Sequence, residues 1–137
     1  MSPPTKNRDT LLLIEDDADI RESLTELLKD AGHTVFSTGD GTEALRMLEC
    51  GSIPLPCLVL LDWLMEPMSG QQFLEAIRYR LYAADLQVVV VSAATDLRHA
   101  ATLPGVVGVL RKPFEIDELL QVVGMHCQAA PSRAALA

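Results

Sequence analysis

Cys57-Leu58-Val59-Leu60-Leu61-Asp62 is a short, almost wholly apolar run that ends abruptly in a carboxylate. Pro54 and Pro56 precede it, and Pro67 and Gly70 follow. Such a run, bounded by breakers and too short for a buried helix, reads as a strand covered on both faces. Asp62 then stands at the C-terminal end of the strand, where open parallel α/β sheets place their chemistry. Three further runs end in the same manner. Leu11-Leu12-Leu13-Ile14 leads into Glu15-Asp16-Asp17, Val88-Val89-Val90-Val91 into Ser92, and Val106-Val107-Gly108-Val109-Leu110 into Arg111-Lys112-Pro113. Parallel strands in one sheet would bring these ends to one edge carrying several carboxylates, a hydroxyl and a lysine.

The segments between the runs read as helices. Ile20, Leu24, Leu27, Leu28 and Ala31 share one helical face over 18–31, and Gly32 stops that helix. Thr34-Val35-Phe36-Ser37 is a short second strand. Gly39-Asp40-Gly41 turns into a helix carrying Ala44, Leu45 and Leu48, which ends before Gly51. A third helix over 70–81 buries Phe73, Leu74 and Ile77. The thirteen residues Ala93 to Gly105 leave room for two helical turns at most, within Asp96 to Leu103. A last helix follows Pro113, with Glu115 and Asp117 in its first turn and a face of Ile116, Leu119, Leu120 and Val123. Strands alternating with helices predict an α/β fold, a doubly wound five-stranded parallel sheet of order 2-1-3-4-5, flavodoxin-like (βα)5. Its switch point lies between the first and third strands, where Glu15-Asp16-Asp17 meets Asp62.

The chain has 137 residues, 49% of them hydrophobic, which suits one domain able to bury roughly two-thirds of its unfolded surface. Residues 1–8 read as a disordered lead-in, 9–127 as the domain and 128–137 as a flexible tail. A net charge of −8, with eleven scattered basic residues, argues against direct nucleic-acid binding. No run approaches the ~18 apolar residues of a membrane span, and the polar, Pro-containing start is not a signal peptide. Cys50, Cys57 and Cys127 have neither a metal spacing nor an even disulfide count, so a reducing cytoplasm is the expected setting, with Cys57 packed as a small apolar residue. His33, His99, His126 and Trp63 read as structural or surface residues, and Met47, Met65 and Met68 as packing.

Carboxylates meeting at one crevice repel each other by about 4 kcal/mol per pair at 4 Å and an effective dielectric near 20. A proton, a lysine or a hard dication must offset this. Oxygen ligands with room for water suit Mg²⁺, and Lys112 and Ser92 would add a charge and a hydroxyl. Together these groups make a site for an acyl phosphate with Asp62 as nucleophile. Taken singly each has a plainer reading: Glu15-Asp16-Asp17 as a helix N-terminal cap, Ser92 as a turn residue, Lys112-Pro113 as a strand end.

In order and at these spacings, the pieces resemble the receiver domain of a two-component response regulator over about residues 9–127. The matching residues are Leu13 to Arg21, Leu60-Leu61-Asp62, Met65, Met68-Ser69-Gly70, Val91-Ser92-Ala93 and Arg111-Lys112-Pro113-Phe114, with thirty residues from Asp62 to Ser92 and twenty from Ser92 to Lys112. The resemblance implies that Asp62 is the phosphoacceptor. Asp16 would be a direct ligand of Mg²⁺ (or Mn²⁺), Glu15 a ligand largely through water, and the Leu64 carbonyl a further contact. Asp17 would be a neighbour. Ser92 would move toward the phosphoryl group, Lys112 would pair with it, and Lys112-Pro113 would be cis. It further implies a histidine kinase or His-phosphotransfer protein as donor, docking beside the site on the first helix. Output would be contact with a downstream protein partner, with a homodimer left open. Activity would be limited to self-phosphorylation from a donor and weak autophosphatase action.

The pattern departs from the family at four points. Val109 replaces the switch aromatic, the fourth helix is short, Pro67 comes one residue late after Glu66, and Leu64 offers no polar side chain to an attacking water, which predicts slow autodephosphorylation. These departures keep open a phosphate-independent interaction domain with an atypical output face. A flavin carrier would need a Ser/Thr/Gly-rich loop where the acids stand. A haloacid-dehalogenase-type phosphatase would need a second Asp at position 64.

Overall fold

The structure is a computed structural model that describes residues 9–93 and 97–127. The lead-in expected at 1–8 and the tail expected at 128–137 lie outside the described residues. In chain order the elements are β1 (Thr10–Ile14), α1 (Ala18–Asp30), β2 (Thr34–Thr38), α2 (Gly41–Glu49), β3 (Cys57–Asp62) and α3 (Gly70–Ile77). A 3-10 turn (Leu81–Asp85), β4 (Leu86–Ser92), α4 (Arg98–Ala101), β5 (Val106–Arg111) and α5 (Ile116–His126) complete the fold. All strand pairings are parallel and the order is β2-β1-β3-β4-β5, as the alternating pattern predicts.

Burial follows position in the sheet. β1 and β3 are buried at every residue, and β4 at all but Gln87, while the edge strands β2 and β5 are only partly covered. Alternate side chains feed two cores. Leu12, Ile14, Val59, Leu61, Val88 and Val90 pack with Ala44 and Leu48 of α2, Phe73, Leu74 and Ile77 of α3, and Ala100 of α4. Leu11, Leu13, Leu58, Leu60, Val89 and Val91 pack with Leu28 of α1 and Leu119 and Val123 of α5. Continuous apolar runs are what a strand needs when both its faces carry helices.

Local chemistry sets the helix ends. Asp17 caps α1, its carboxylate accepting from the Asp19 and Ile20 amides, and Gly32 follows that helix with φ of 103°. Asp40 caps α2 through the Thr42 amide. Ser69 and Gln72 form a reciprocal capping box at the start of α3. Glu115 is the N-cap of α5 rather than a first-turn residue, and boxes with Glu118.

The structure corrects three readings of the helices and agrees with a fourth. In α1 only Leu28 is buried; Leu24 and Leu27 are half-buried, Ile20 is exposed, and Ala31 is the C-cap. The third helix ends at Ile77, and the separate 3-10 turn carries the chain to β4. Arg80 and the Tyr82 hydroxyl both meet Glu49 at the end of α2, which ties down this connection. α4 is one turn, within the expected limit of two, and Asp96 lies outside the described residues. Ile116 is exposed, since α5 turns Leu119 and Val123 to the sheet and Ile116 precedes the contact.

The cysteines form no disulfide. Burial pushes the Cys57 and Cys127 thiols up to about 12, so both behave as small apolar residues. Met65 is buried and Met47, Met68 and Trp63 pack against the first core.

Candidate phosphoryl-accepting site

Register alone brings the acids together. Ile14 pairs with Leu61 and Asp62 with Val91, so Glu15 and Asp62 emerge side by side at the C-terminal edge. Hydrogen bonds continue the sheet one step past the strands. Glu15 N–H donates to the Thr38 carbonyl at 3.0 Å, Trp63 N–H to Val91 at 2.9 Å and Lys112 N–H to Ser92 at 2.8 Å. Ser92 is wholly buried at the end of β4.

Glu15, Asp16 and Asp62 each present an oxygen within 4.8 Å of the others. Glu15 and Asp62 are buried and Asp16 is exposed, so the cluster opens to solvent on one side. Asp17 turns away into its capping role, which places it beside the cluster and not in it. Lys112 Nζ lies 3.1 Å from Glu15 Oε1 and 3.8 Å from Asp62 Oδ2. The lysine therefore bridges two buried acids from strands far apart in sequence.

Burial, then the hydrogen bond and negative charge of Glu15, push the Asp62 carboxyl up to about 7; Lys112 and the Leu64 amide pull it back. Two of the three expected compensations are thus in evidence, a lysine and a raised Asp62 carboxyl. The donor set is all oxygen, partly open to water and rich in negative charge, which fits a hard dication such as Mg²⁺.

The surrounding loops hold this arrangement. Leu64 N–H donates to Asp62 Oδ1 at 3.4 Å, and the Leu64 side chain is 60% exposed, as a residue at the mouth of the site would be. The Lys112-Pro113 peptide is cis, as are Leu55-Pro56 and Glu66-Pro67. Glu66 is exposed. Val109 pairs with Val90, is half-buried and packs on the first core. Two residues of the matching runs make contacts that the motif alone does not show. Arg21, the last residue of the matching run that begins at Leu13, donates from Nη1 to the Glu15 carbonyl at 2.8 Å. Gly70 lies against the Asp62–Trp63 backbone, its amide donating to Trp63 at 3.0 Å. A glycine eight residues after an acid is the sequence signal for the second; a helix arginine reaching backward leaves none.

A five-stranded parallel sheet with helices on both faces, three clustered acids at its switch point and a lysine bridging two of them defines the class of aspartate-centred receiver modules. The family profile described as response regulator receiver domain matches residues 11–124, and the chain belongs to that family. It is 35% identical over 117 residues to "Response regulator Rre1" of Synechocystis sp., covering 83% of this chain and 49% of that protein. It is 31% identical over 123 residues to an "Uncharacterized 14.6 kDa protein" of Leptolyngbya boryana, covering 88% and 92%. The crystal structure of the response regulator protein TrrA of Thermotoga maritima, in complex with Mg(2+)-BeF, superimposes with a TM-score of 0.72 at 26% identity, covering 85% and 97%. The chain thus spans about half the length of the Synechocystis regulator. Receiver domains are signalling modules. Among the described residues no helix is long and apolar enough to cross a membrane.

Proposed function

We propose that this chain accepts a phosphoryl group on Asp62 from a histidine kinase or His-phosphotransfer protein and transmits the change by contact with a downstream protein. The observation that carries this reading is the bridge of Lys112 across Glu15 and Asp62 within a three-acid cluster. Glu15, Asp16, Asp62 and the Leu64 carbonyl are the groups that would hold Mg²⁺. When bound, it supplies positive charge that offsets the carboxylates and the incoming phosphoryl oxygens. The Asp62 carboxylate attacks phosphorus, the P–N bond of the donor breaks, and its electron pair leaves with the imidazole. In this reading Lys112 and the Ser92 hydroxyl would meet the transferred oxygens. With Asp62 titrating near 7 in the metal-free state, ionisation is the first requirement of this step.

The test is incubation with acetyl phosphate and Mg²⁺ followed by intact mass. A phosphoryl mass gain that requires Mg²⁺ and is absent in Asp62→Asn is expected. Saturating Mg²⁺ should also stabilise the wild type by about 2.7 kcal/mol at a hundredfold excess over Kd, and Asp62→Asn much less. No mass gain together with no Mg²⁺ binding would instead favour a phosphate-independent interaction domain, the reading that half-buried Val109 and one-turn α4 support.

Leu64 carries no polar side-chain atom to orient water toward the acyl phosphate. The phosphorylated form is therefore expected to last minutes or longer at neutral pH, followed by mass after removal of the donor. A half-life of seconds would overturn this. The same exposure of Leu64 makes Leu64→Asn the substitution expected to shorten the lifetime without unfolding the chain.

A further inference from the structure

Glu15 lies one residue beyond β1, and its backbone is gripped from two sides. Its amide donates to Thr38, and its carbonyl accepts from Arg21, half-buried in the first turn of α1. The Arg21 guanidinium passes directly against Gly39, in the connection between β2 and α2. A Cβ at position 39 would collide with Arg21 Nη1, reach 3.3 Å from its Cζ and lie 3.5 Å from the Glu15 carbonyl oxygen. Backbone conformation does not explain this glycine. The described glycines with positive φ are Gly32, Gly51 and Gly105. What position 39 requires is room for a cation.

We infer that Arg21 is a positioning residue for the acidic pair, seated in a notch that Gly39 leaves open. This rests on reading Glu15, Asp16 and Asp62 as a metal site. The Glu15 carbonyl and the Asp16 amide belong to one planar peptide unit, so a bond that orients the carbonyl also orients the backbone that carries Asp16. Arginine suits the task because its charge is permanent and its planar fork makes strong, directional hydrogen bonds. The guanidinium also sets a fixed positive charge behind acids that repel each other. Neither Arg21 nor Gly39 belongs to the three-acid cluster.

The experiment is calorimetric titration of Mg²⁺ into the metal-free chain for wild type, Arg21→Met, Gly39→Ala and the double variant. Unfolding midpoints are measured on the same samples without metal. Loss of a group that orients a metal ligand costs about tenfold or more in affinity, and Arg21→Met is expected to show it. Gly39→Ala is expected to weaken Mg²⁺ binding comparably while leaving the metal-free midpoint near that of wild type, since the atoms it strikes are the tip of a flexible side chain. The double variant should bind no more weakly than Arg21→Met alone, because both changes remove one contact. Wild-type affinity in both single variants, or losses that add in the double variant, would overturn the inference while the metal site stands. A wild type that binds no Mg²⁺ would overturn the site itself and this inference with it.

Discussion

Lys112→Met is expected to destabilise the metal-free chain by an amount that grows with pH. Lys112 is the cation lying between Glu15 and Asp62. Removing one partner of a buried ion pair costs about 3–5 kcal/mol. The lysine side chain keeps 22% exposure, so about 2–3 kcal/mol is expected at about pH 8. The sign of the pH dependence follows from Asp62. Its carboxyl rises from 3.8 to about 7 on folding, so the native state holds a proton more tightly than the unfolded chain. That contribution to stability is fully present below about pH 4 and is lost as pH rises through about 7. Without Lys112 the Asp62 carboxyl moves higher still, and a proton takes over the neutralising role under mildly acidic conditions. The variant should therefore lie within about 1 kcal/mol of wild type at about pH 6 and fall well below it at about pH 8. Urea unfolding at the two pH values measures this. An equal loss at both would mean that Lys112 acts through packing or its pair with Glu15 and not through the ionisation of Asp62.

Gly70→Ala is expected to cost about 3 kcal/mol, near the upper end of ordinary overpacking. A Cβ there would stand 2.8 Å from Trp63 Cε3 and 2.9 Å from both the Asp62 carbonyl oxygen and Trp63 Cα. Two of these three atoms are backbone, which cannot swing aside. Relief requires α3 to lift from the strand end or the Asp62–Trp63 peptide to tilt, and either movement disturbs the setting of Asp62, the proposed phosphoacceptor. Stability and Mg²⁺-dependent phosphorylation should therefore fall together. Gly124 in α5 provides the contrast, since nothing lies within 4 Å of a Cβ built there. Gly124→Ala is expected to stabilise by about 0.5–1 kcal/mol through helix propensity alone. Denaturation of the two variants side by side checks both signs, and a neutral Gly70→Ala would show that α3 floats over the site.

The central strands, their parallel order and the edge that carries the acids were legible in the sequence, because a strand covered on both faces must be apolar throughout. Leu11 to Ile14, Cys57 to Leu61 and Val88 to Val91 satisfy that requirement. Amphipathic helices were less legible. Periodicity groups Ile20 with Leu28, and Ile116 with Leu119, but whether the first turn of a helix reaches the sheet depends on its tilt and on the loop before it. Ile20 and Ile116 end up exposed for that reason. The end of α3 at Ile77 likewise reflects the Arg80 and Tyr82 contacts with Glu49, more than thirty positions upstream.

The candidate site divides in the same way. Residue identity supplied Glu15, Asp16, Asp62, Ser92 and Lys112 as a set, since acids, hydroxyl and lysine at strand ends in one parallel sheet share an edge. Only the tertiary structure decided what these groups do to one another. Glu15 and Lys112, 97 positions apart, close to 3.1 Å, and Asp62 is pushed to about 7 by the burial and the neighbour that this closure creates. Asp17 is drawn off to cap α1 while Asp16 remains in the cluster. Arg21 reaches back over Gly39 to Glu15. Charge coupling depends on separations of a few ångströms and on exclusion of water, and both arise when the strand ends are packed together.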